Sequence, residues 1–115
     1  MFDFEGLTVY QKAKEARKEL LKLVIGKHNV DKSLLDQLKR AVLSIILNIA
    51  EGTGKSSIHE KRNFFTIARG STYETAATID LLKDDGVISD EDHKRLYLAF
   101  EEVSKMLMGL IKSIK

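Results

Sequence analysis

The chain contains no cysteine, no proline and no tryptophan among its 115 residues. Without cysteine it can form neither disulfides nor thiolate zinc sites, so only histidine, carboxylates and hydroxyl groups remain for chemistry. Without proline no helix need be interrupted, and the seven glycines become the main marks of helix ends. No apolar run approaches the roughly 20 residues needed to span a bilayer. The first residues carry acids where a secretory signal would need bases, so we expect a cytoplasmic protein.

The composition is that of one globular domain, residues 1–115, with 43% hydrophobic and 31% charged residues. Its formal net charge of +2 is too small to indicate a nucleic-acid-binding protein, but the charge is unevenly distributed. Residues 8–30 hold six Lys or Arg against two Glu, whereas residues 80–115 hold eight acids against six bases. The first part of the chain is therefore mildly basic and the last part mildly acidic.

Four capping signals divide the chain into four predicted helices. Each places a hydroxyl three residues before a carboxylate or amide, so that the two side chains can pair with free N–H groups at a helix start. Apolar residues between these signals recur at steps of three and four, which is the helical period. Short connections force consecutive helices to be antiparallel, so the sequence predicts an all-α, up-down-up-down four-helix bundle. The predicted helices cover 8–25, 34–51, 58–84 and 90–113, with the capping pairs Thr8/Gln11, Ser33/Asp36, Ser57/Glu60 and Ser89/Asp92.

The second predicted helix is too apolar for a small monomer. Consecutive residues such as Ile45, Ile46 and Leu47 turn through about 100° each, so they cover a wider arc than one core-facing stripe. One side of this helix can pack within its own bundle, and we expect the other side to contact another subunit. Ile46 and Leu47 are therefore predicted at a homo-oligomeric interface.

Polar residues of the second and third helices are predicted to meet at the seam between them. The short turn joining these helices sets an antiparallel register in which facing residue numbers sum to about 109 to 115. This register places Ser44 near Ser71 and predicts an ion pair between Arg40 and Glu74. The amide of Asn48 is left to a main-chain group or a neighbouring subunit. Because buried polar groups normally find hydrogen-bond partners, we interpret the set as a structural network rather than a catalytic pocket.

Two patterns that resemble catalytic or ligand sites fail on spacing. Residues 52–56, GTGKS, end like a phosphate-binding loop, but Ile49 stands where the motif needs its first glycine and a helix replaces the preceding strand. His28, His59 and His93 show neither paired histidines at helical spacing nor the repeated Glu-x-x-His of a metal-binding bundle; Asp90 with His93 is the nearest approach, so no metal site is indicated. No serine has a base that the sequence can assign to it. We therefore expect no enzymatic activity, no cofactor and no metal.

Basic residues form two candidate contacts with nucleic acid. Three lysines step by four residues along the first helix, and a second group surrounds the start of the third helix. The candidates are Lys14, Lys18, Lys22, Lys55, Lys61 and Arg62.

Lysines on one helix face are most often only its solvated side, and Glu15 and Glu19 partly neutralise those of the first helix. In an oligomer, however, symmetry repeats each patch, and phosphate contacts add with each neutralised charge. No aromatic residues are interleaved with these bases, so base stacking is not indicated. We expect weakly sequence-specific binding to RNA or DNA backbones. The alternative is a scaffold that binds a protein partner.

Four motifs carry a family resemblance over nearly the whole chain. They are FxxLxVYQKA at 4–13, DQLxRAxxSIxxNIAEG at 36–52, FxxIARGSxxET at 64–75 and MLxGLIKS at 106–113. Together they resemble the bacterial four-helix proteins encoded in intervening sequences of 23S ribosomal RNA genes. One departure is Leu47, which stands where such sequences commonly have a proline or a small residue.

The resemblance implies a four-helix bundle that assembles into a homo-oligomeric ring, with a pentamer as the expectation, and no established enzymatic activity. At the level of the fold, the chain is also similar to the accessory proteins of diversity-generating retroelements, basic barrels that contact nucleic acid and a reverse transcriptase. The residues that match the family motifs are expected to have structural or interface roles. These residues are Arg40, Asn48, Glu51, Arg69, Ser71 and Glu74.

Overall fold

The computed structural model describes residues 1–114. A short 3₁₀ helix, Asp3–Gly6, leads into four α-helices, and the described residues contain no strand. Each α-helix packs against the two that flank it, with the closest packing between α2 and α3 and between α3 and α4. The resulting particle measures 45 × 23 × 21 Å, which confirms the predicted four-helix bundle. The helices are α1, Thr8–Val24; α2, Lys32–Thr53; α3, Ile58–Asp84; and α4, Asp90–Ser113.

Two of the four predicted caps form as the spacing indicates. Ser57 Oγ accepts a hydrogen bond from the backbone N–H of Glu60 at 3.2 Å, and Ser89 Oγ accepts one from Asp92 at 3.0 Å. These contacts satisfy N–H groups that the first turn of α3 and of α4 leaves unpaired. The predicted starts of both helices are therefore confirmed.

The other two caps differ from the prediction. Thr8 is already the first helical residue of α1, and its N-cap is Leu7, which offers no side-chain hydrogen bond. In α2 the cap is Asp31, whose carboxylate accepts from the N–H of Ser33 at 3.2 Å. Asp31 rather than Ser33 is therefore the N-cap of α2, and α2 begins at Lys32 rather than at residue 34.

The interior of the bundle is a continuous apolar core drawn from all four helices. Ile46 belongs to it, with only 7% of its surface exposed, so the prediction that it faces another subunit is wrong. The reason is that α2 packs against both α1 and α3, so two adjacent faces of this helix are buried within its own bundle. Leu43 and Leu47, one turn apart, are left on the outer stripe with 42% and 55% of their surfaces exposed. The largest fully buried side chains include Phe100, Leu20, Leu38, Ile45, Ile49, Ile79, Leu82, Leu96 and Leu107.

The close approach of α2 to α3 requires a glycine at position 52. A Cβ atom there would lie 2.7 Å from Cε1 of the buried Phe65 ring, which is far inside van der Waals contact. Along the described residues, no helix combines the length and the apolar character that crossing a membrane requires.

Candidate nucleic-acid interface

The outer face of α1 carries a row of exposed cations, which we call the basic row: Lys14, Lys18 and Lys22. Four helical residues rise about 6 Å, so the three side chains start about 6 Å apart along one stripe. Arg17, which is half-buried, lies beside them. All four line an open groove of about 880 Å³ between α1 and α2.

Carboxylates that could neutralise the basic row are engaged elsewhere. Glu19 of α1 forms an ion pair with Arg95 of α4. The hydrogen bonds that Arg95 donates to Glu19 and to Asp92 raise the pKa of Arg95. Glu102 of α4 lies 3.1 Å from Lys12, which is not part of the row. Within residues 1–114, no ion pair involves a lysine of the basic row or Arg17. The row therefore keeps its positive charge, with Glu15 as the carboxylate that lines the same groove.

The floor of the groove is apolar. Leu21 of α1 and Ile25, the C-cap residue that follows α1, line the groove together with Leu43 and Ile46 of α2. Ile25 exposes 57% of its surface, although it is a large aliphatic residue. The groove thus joins a basic rim to an aliphatic floor, a combination that the positions of the lysines alone did not predict.

Two residues of this region were missed in the sequence. Tyr10 lies one turn before Lys14, and the lysine Nζ is 5.0 Å from the centre of its ring, so an aromatic residue does accompany the row. The i, i+4 spacing of the two residues was a signal that could have revealed the contact. Arg17 was missed because it is off the four-residue step, and its Nε is buried without a hydrogen-bond partner in the described chain.

The second predicted basic cluster, near the α2–α3 turn, has structural contacts. Lys61 Nζ donates to the carbonyl oxygen of Thr53 at 3.0 Å, where the last turn of α2 has no intrahelical donors. Arg62 donates to the carbonyl oxygen of Ile114 at 2.6 Å, close to the end of the described chain. Lys55 lies over the ring of Phe64, at 5.1 Å from its centre. These three side chains stabilise the turn and the chain end, so the basic row is the stronger candidate for nucleic acid.

The seam between α2 and α3 forms largely as the register predicts. Ser44 Oγ and Ser71 Oγ are 2.8 Å apart, which confirms their pairing. Asn48 Nδ2 donates to the carbonyl oxygen of Ser44 at 2.8 Å and contacts its hydroxyl at 3.0 Å. Of the two partners expected for this amide, the main-chain group is the one that the structure provides.

The predicted ion pair between Arg40 and Glu74 does not form. Gln37 stands between them: its Nε2 donates to Glu74 Oε1 at 2.8 Å, and its Oε1 accepts from Arg40 at 3.2 Å. Residues 37 and 40 are one turn apart on α2, and both satisfy the antiparallel register with residue 74. The glutamine therefore bridges the two residues, because its amide hydrogen-bonds both the carboxylate and the guanidinium.

The remaining motif residues are Arg69, which is half-buried, and Glu51. Arg69 contacts its own helix, donating to the hydroxyl of Tyr73 at 2.9 Å, with its guanidinium 4.8 Å over that ring. Glu51 is exposed near the end of α2 and borders a hollow of about 650 Å³ that Leu47 and the N-terminal residues Met1 and Phe2 also line. Among residues 1–114, no group of three His, Asp or Glu side chains is placed to hold a metal ion.

Comparison with known families assigns the chain to one of them. A family model described as "23S rRNA-intervening sequence protein" matches residues 5–109. The chain belongs to this family. A search among curated proteins finds no match for this member of the 23S rRNA intervening-sequence family.

A solved structure shares the fold of this intervening-sequence protein. It is the crystal structure of a protein with unknown function from the S23 ribosomal protein family of Bacteroides thetaiotaomicron VPI-5482. The two sequences are 26% identical, the alignment covers 91% of this chain and 99% of the other, and the TM-score is 0.83. Family membership thus confirms the resemblance that the motifs indicate, while the kinship with retroelement accessory proteins stays a prediction.

Proposed function

We propose that this protein is a non-enzymatic, homo-oligomeric helical bundle of the cytoplasm that binds the backbone of RNA or DNA. The observation that carries the proposal is the unneutralised basic row on α1. Glu19 is held by Arg95, so the row keeps three exposed lysines together with Arg17. Exposed cations on one face supply most of the affinity of proteins that bind nucleic acid without reading its sequence.

Assembly multiplies this charge. Leu43 and Leu47 form an exposed apolar ridge on α2, and Met1 and Phe2 are exposed beside Leu47. Burying such a ridge against a neighbouring subunit is favourable because it removes apolar surface from water. The ring implied by the family resemblance, with a pentamer as the expected state, would repeat the basic row once per subunit and raise the local potential.

A protein scaffold is the second candidate, because the aliphatic floor of the groove also suits an apolar partner. The dependence of affinity on salt concentration distinguishes nucleic-acid binding from binding of a protein partner. Affinity for nucleic acid falls steeply as salt rises, with a slope on logarithmic axes of about −0.7 for each phosphate neutralised in a single strand and about −0.9 in a duplex. Docking on apolar surface lacks this dependence.

The decisive experiment reverses the charge of the basic row and follows binding of labelled RNA and DNA by fluorescence anisotropy over a range of salt. We expect the row variant to bind far more weakly and its salt slope to flatten by about 2 to 3, since three phosphate contacts are lost. A control variant changes the same net charge on α4, at exposed lysines away from the groove, and should bind like the parent. The row variant is Lys14→Glu, Lys18→Glu and Lys22→Glu; the control is Lys94→Glu, Lys105→Glu and Lys112→Glu. If both variants retain nucleic acid as the parent does, the α1 face is not the binding surface.

A further inference from the structure

The aliphatic floor of the groove between α1 and α2 is not explained by backbone contacts alone. A duplex resting on the basic row would touch the lysine rim with its phosphates and leave the floor facing water. Leu21 and Ile25 would then stay uncovered beside the bound molecule. A ligand that matches the whole groove must present both anionic groups and flat apolar surface.

We propose that the groove binds a single strand of nucleic acid, with its phosphates on the basic row and its bases against the floor. This inference rests on the proposed function and names the form of nucleic acid that the site takes. In a duplex the base faces are stacked on one another and are closed to the protein, whereas a single strand can turn its bases outward. Of the two forms of nucleic acid, only the single strand therefore offers both its phosphates and its base faces to the groove.

The spacing of the basic row supports this arrangement. Successive lysines are separated by about 6 Å along α1, which is comparable to the separation of neighbouring phosphates on one strand. Each phosphate can therefore meet one ammonium group, while Leu21 and Ile25 line the same groove beside the lysines. The strand would run along α1, with rim and floor side by side.

The floor suits base faces without an aromatic stack. The faces of nucleobases are poorly hydrated, so their burial against aliphatic side chains removes apolar surface from water. Ile25, with 57% of its surface exposed, is the floor residue with most to gain from cover. The groove volume of about 880 Å³ lies in the upper part of the range of about 300–1,000 Å³ that is usual for ligand sites.

Two charged groups set the polarity of the site. Arg17, which is half-buried, lines the groove with its guanidinium, a group that forms charge-assisted hydrogen bonds with phosphate oxygens. Glu15, the carboxylate at the groove, opposes a bound phosphate. Replacing it with glutamine should therefore tighten binding, whereas it would weaken the binding of a basic partner.

An acidic amphipathic helix from a protein would also match a basic rim and an apolar floor. The regular spacing of the lysines favours a strand with evenly repeated charge over a helix whose acids vary in position. An acidic amphipathic peptide is therefore one of the labelled ligands in the test.

The test compares labelled oligouridine and oligothymidine strands with a hairpin duplex of equal charge, using fluorescence anisotropy at one salt concentration. We expect either single strand to bind at least tenfold more tightly than the duplex. Ile25→Ser should weaken single-strand binding three- to tenfold and leave duplex binding unchanged, because it removes floor surface and no charge. Ile67→Ser, an exposed isoleucine of α3, is the matched control and should change neither. Glu15→Gln should tighten both.

The outcomes separate this inference from the proposed function. Equal binding of single strand and duplex, or an unchanged affinity in Ile25→Ser, overturns the single-strand site and leaves backbone binding intact. If the parent protein binds neither the single strands nor the duplex, both the single-strand site and the proposed function are overturned. Binding of an acidic amphipathic peptide, blocked by Lys18→Glu, without binding of any strand would assign the groove to a protein partner. Light scattering of Ile25→Ser checks that it assembles as the parent does, so that a change in affinity reports on the groove itself.

Discussion

Replacing the exposed leucines of α2 by serine should dissociate the protein without unfolding its subunits. Leu43 and Leu47 together expose about as much surface as one fully exposed leucine. Full burial of a leucine contributes about 1.5–3 kcal/mol, so each subunit contact would lose roughly that amount. Since about 1.4 kcal/mol corresponds to a factor of ten, the dissociation constant should rise roughly ten- to hundredfold.

Light scattering during size-exclusion chromatography, repeated over a range of protein concentrations, measures this effect. The parent should assemble at micromolar concentration, and the Leu43→Ser, Leu47→Ser variant should dissociate at concentrations where the parent does not. Unfolding in urea, measured on dissociated protein, should change by no more than about 0.5 kcal/mol, because both side chains are already exposed in the subunit.

A matched variant keeps this prediction open to refutation. Leu81 of α3 and Leu98 of α4 expose 50% and 52% of their surfaces, close to the exposure of the α2 pair. Leu81→Ser, Leu98→Ser removes the same chemistry from α3 and α4. The reasoning is refuted if this variant dissociates while the α2 variant stays assembled, or if the parent itself is a monomer at micromolar concentration.

Three further predictions concern the stability of the subunit, each measured by chemical unfolding. Gly70→Ala should stabilise the subunit by up to about 1 kcal/mol, because a Cβ there meets open space in a helix interior. Gly52→Ala should destabilise it by about 1–3 kcal/mol, because the added Cβ overpacks against Phe65. Equal effects of the two substitutions would contradict the close approach of α2 and α3. A double-mutant cycle of Ser44→Ala and Ser71→Ala should show a coupling of about 0.5–1.5 kcal/mol from their hydrogen bond, and additive effects would show that the bond contributes nothing. Ile46→Ala should cost about 2–5 kcal/mol, as a core residue does, and a loss under 1 kcal/mol would return Ile46 to the surface.

The seam between α2 and α3 shows how far sequence reasoning reaches into the candidate site. The register predicts the contact of Ser44 with Ser71, because one short turn fixes how the two helices slide past each other. It could not choose between Gln37 and Arg40 as the partner of Glu74, since both lie within one turn of the same position. That choice depends on side-chain reach, which the register does not contain.

The helical type of the four segments and their approximate bounds were determined by the sequence alone. Their period and two of their four caps are local properties, set by residues within four positions of one another. The misplaced start of α2 also had a local cause, since Asp31 lies only two residues from the serine chosen as its cap. The all-α fold and the antiparallel order follow from these local signals and the short turns.

The charge and shape of the groove were decided only by the tertiary structure. Glu19 leaves the lysines of its own helix and pairs with Arg95, 76 positions away. Ile46 is buried while its neighbour Leu47 is exposed, because α1 and α3 both flank α2. Such outcomes depend on how each helix is rotated about its axis against the others. The helical period determines which residues share a stripe, but the packing of all four helices determines which stripe faces water.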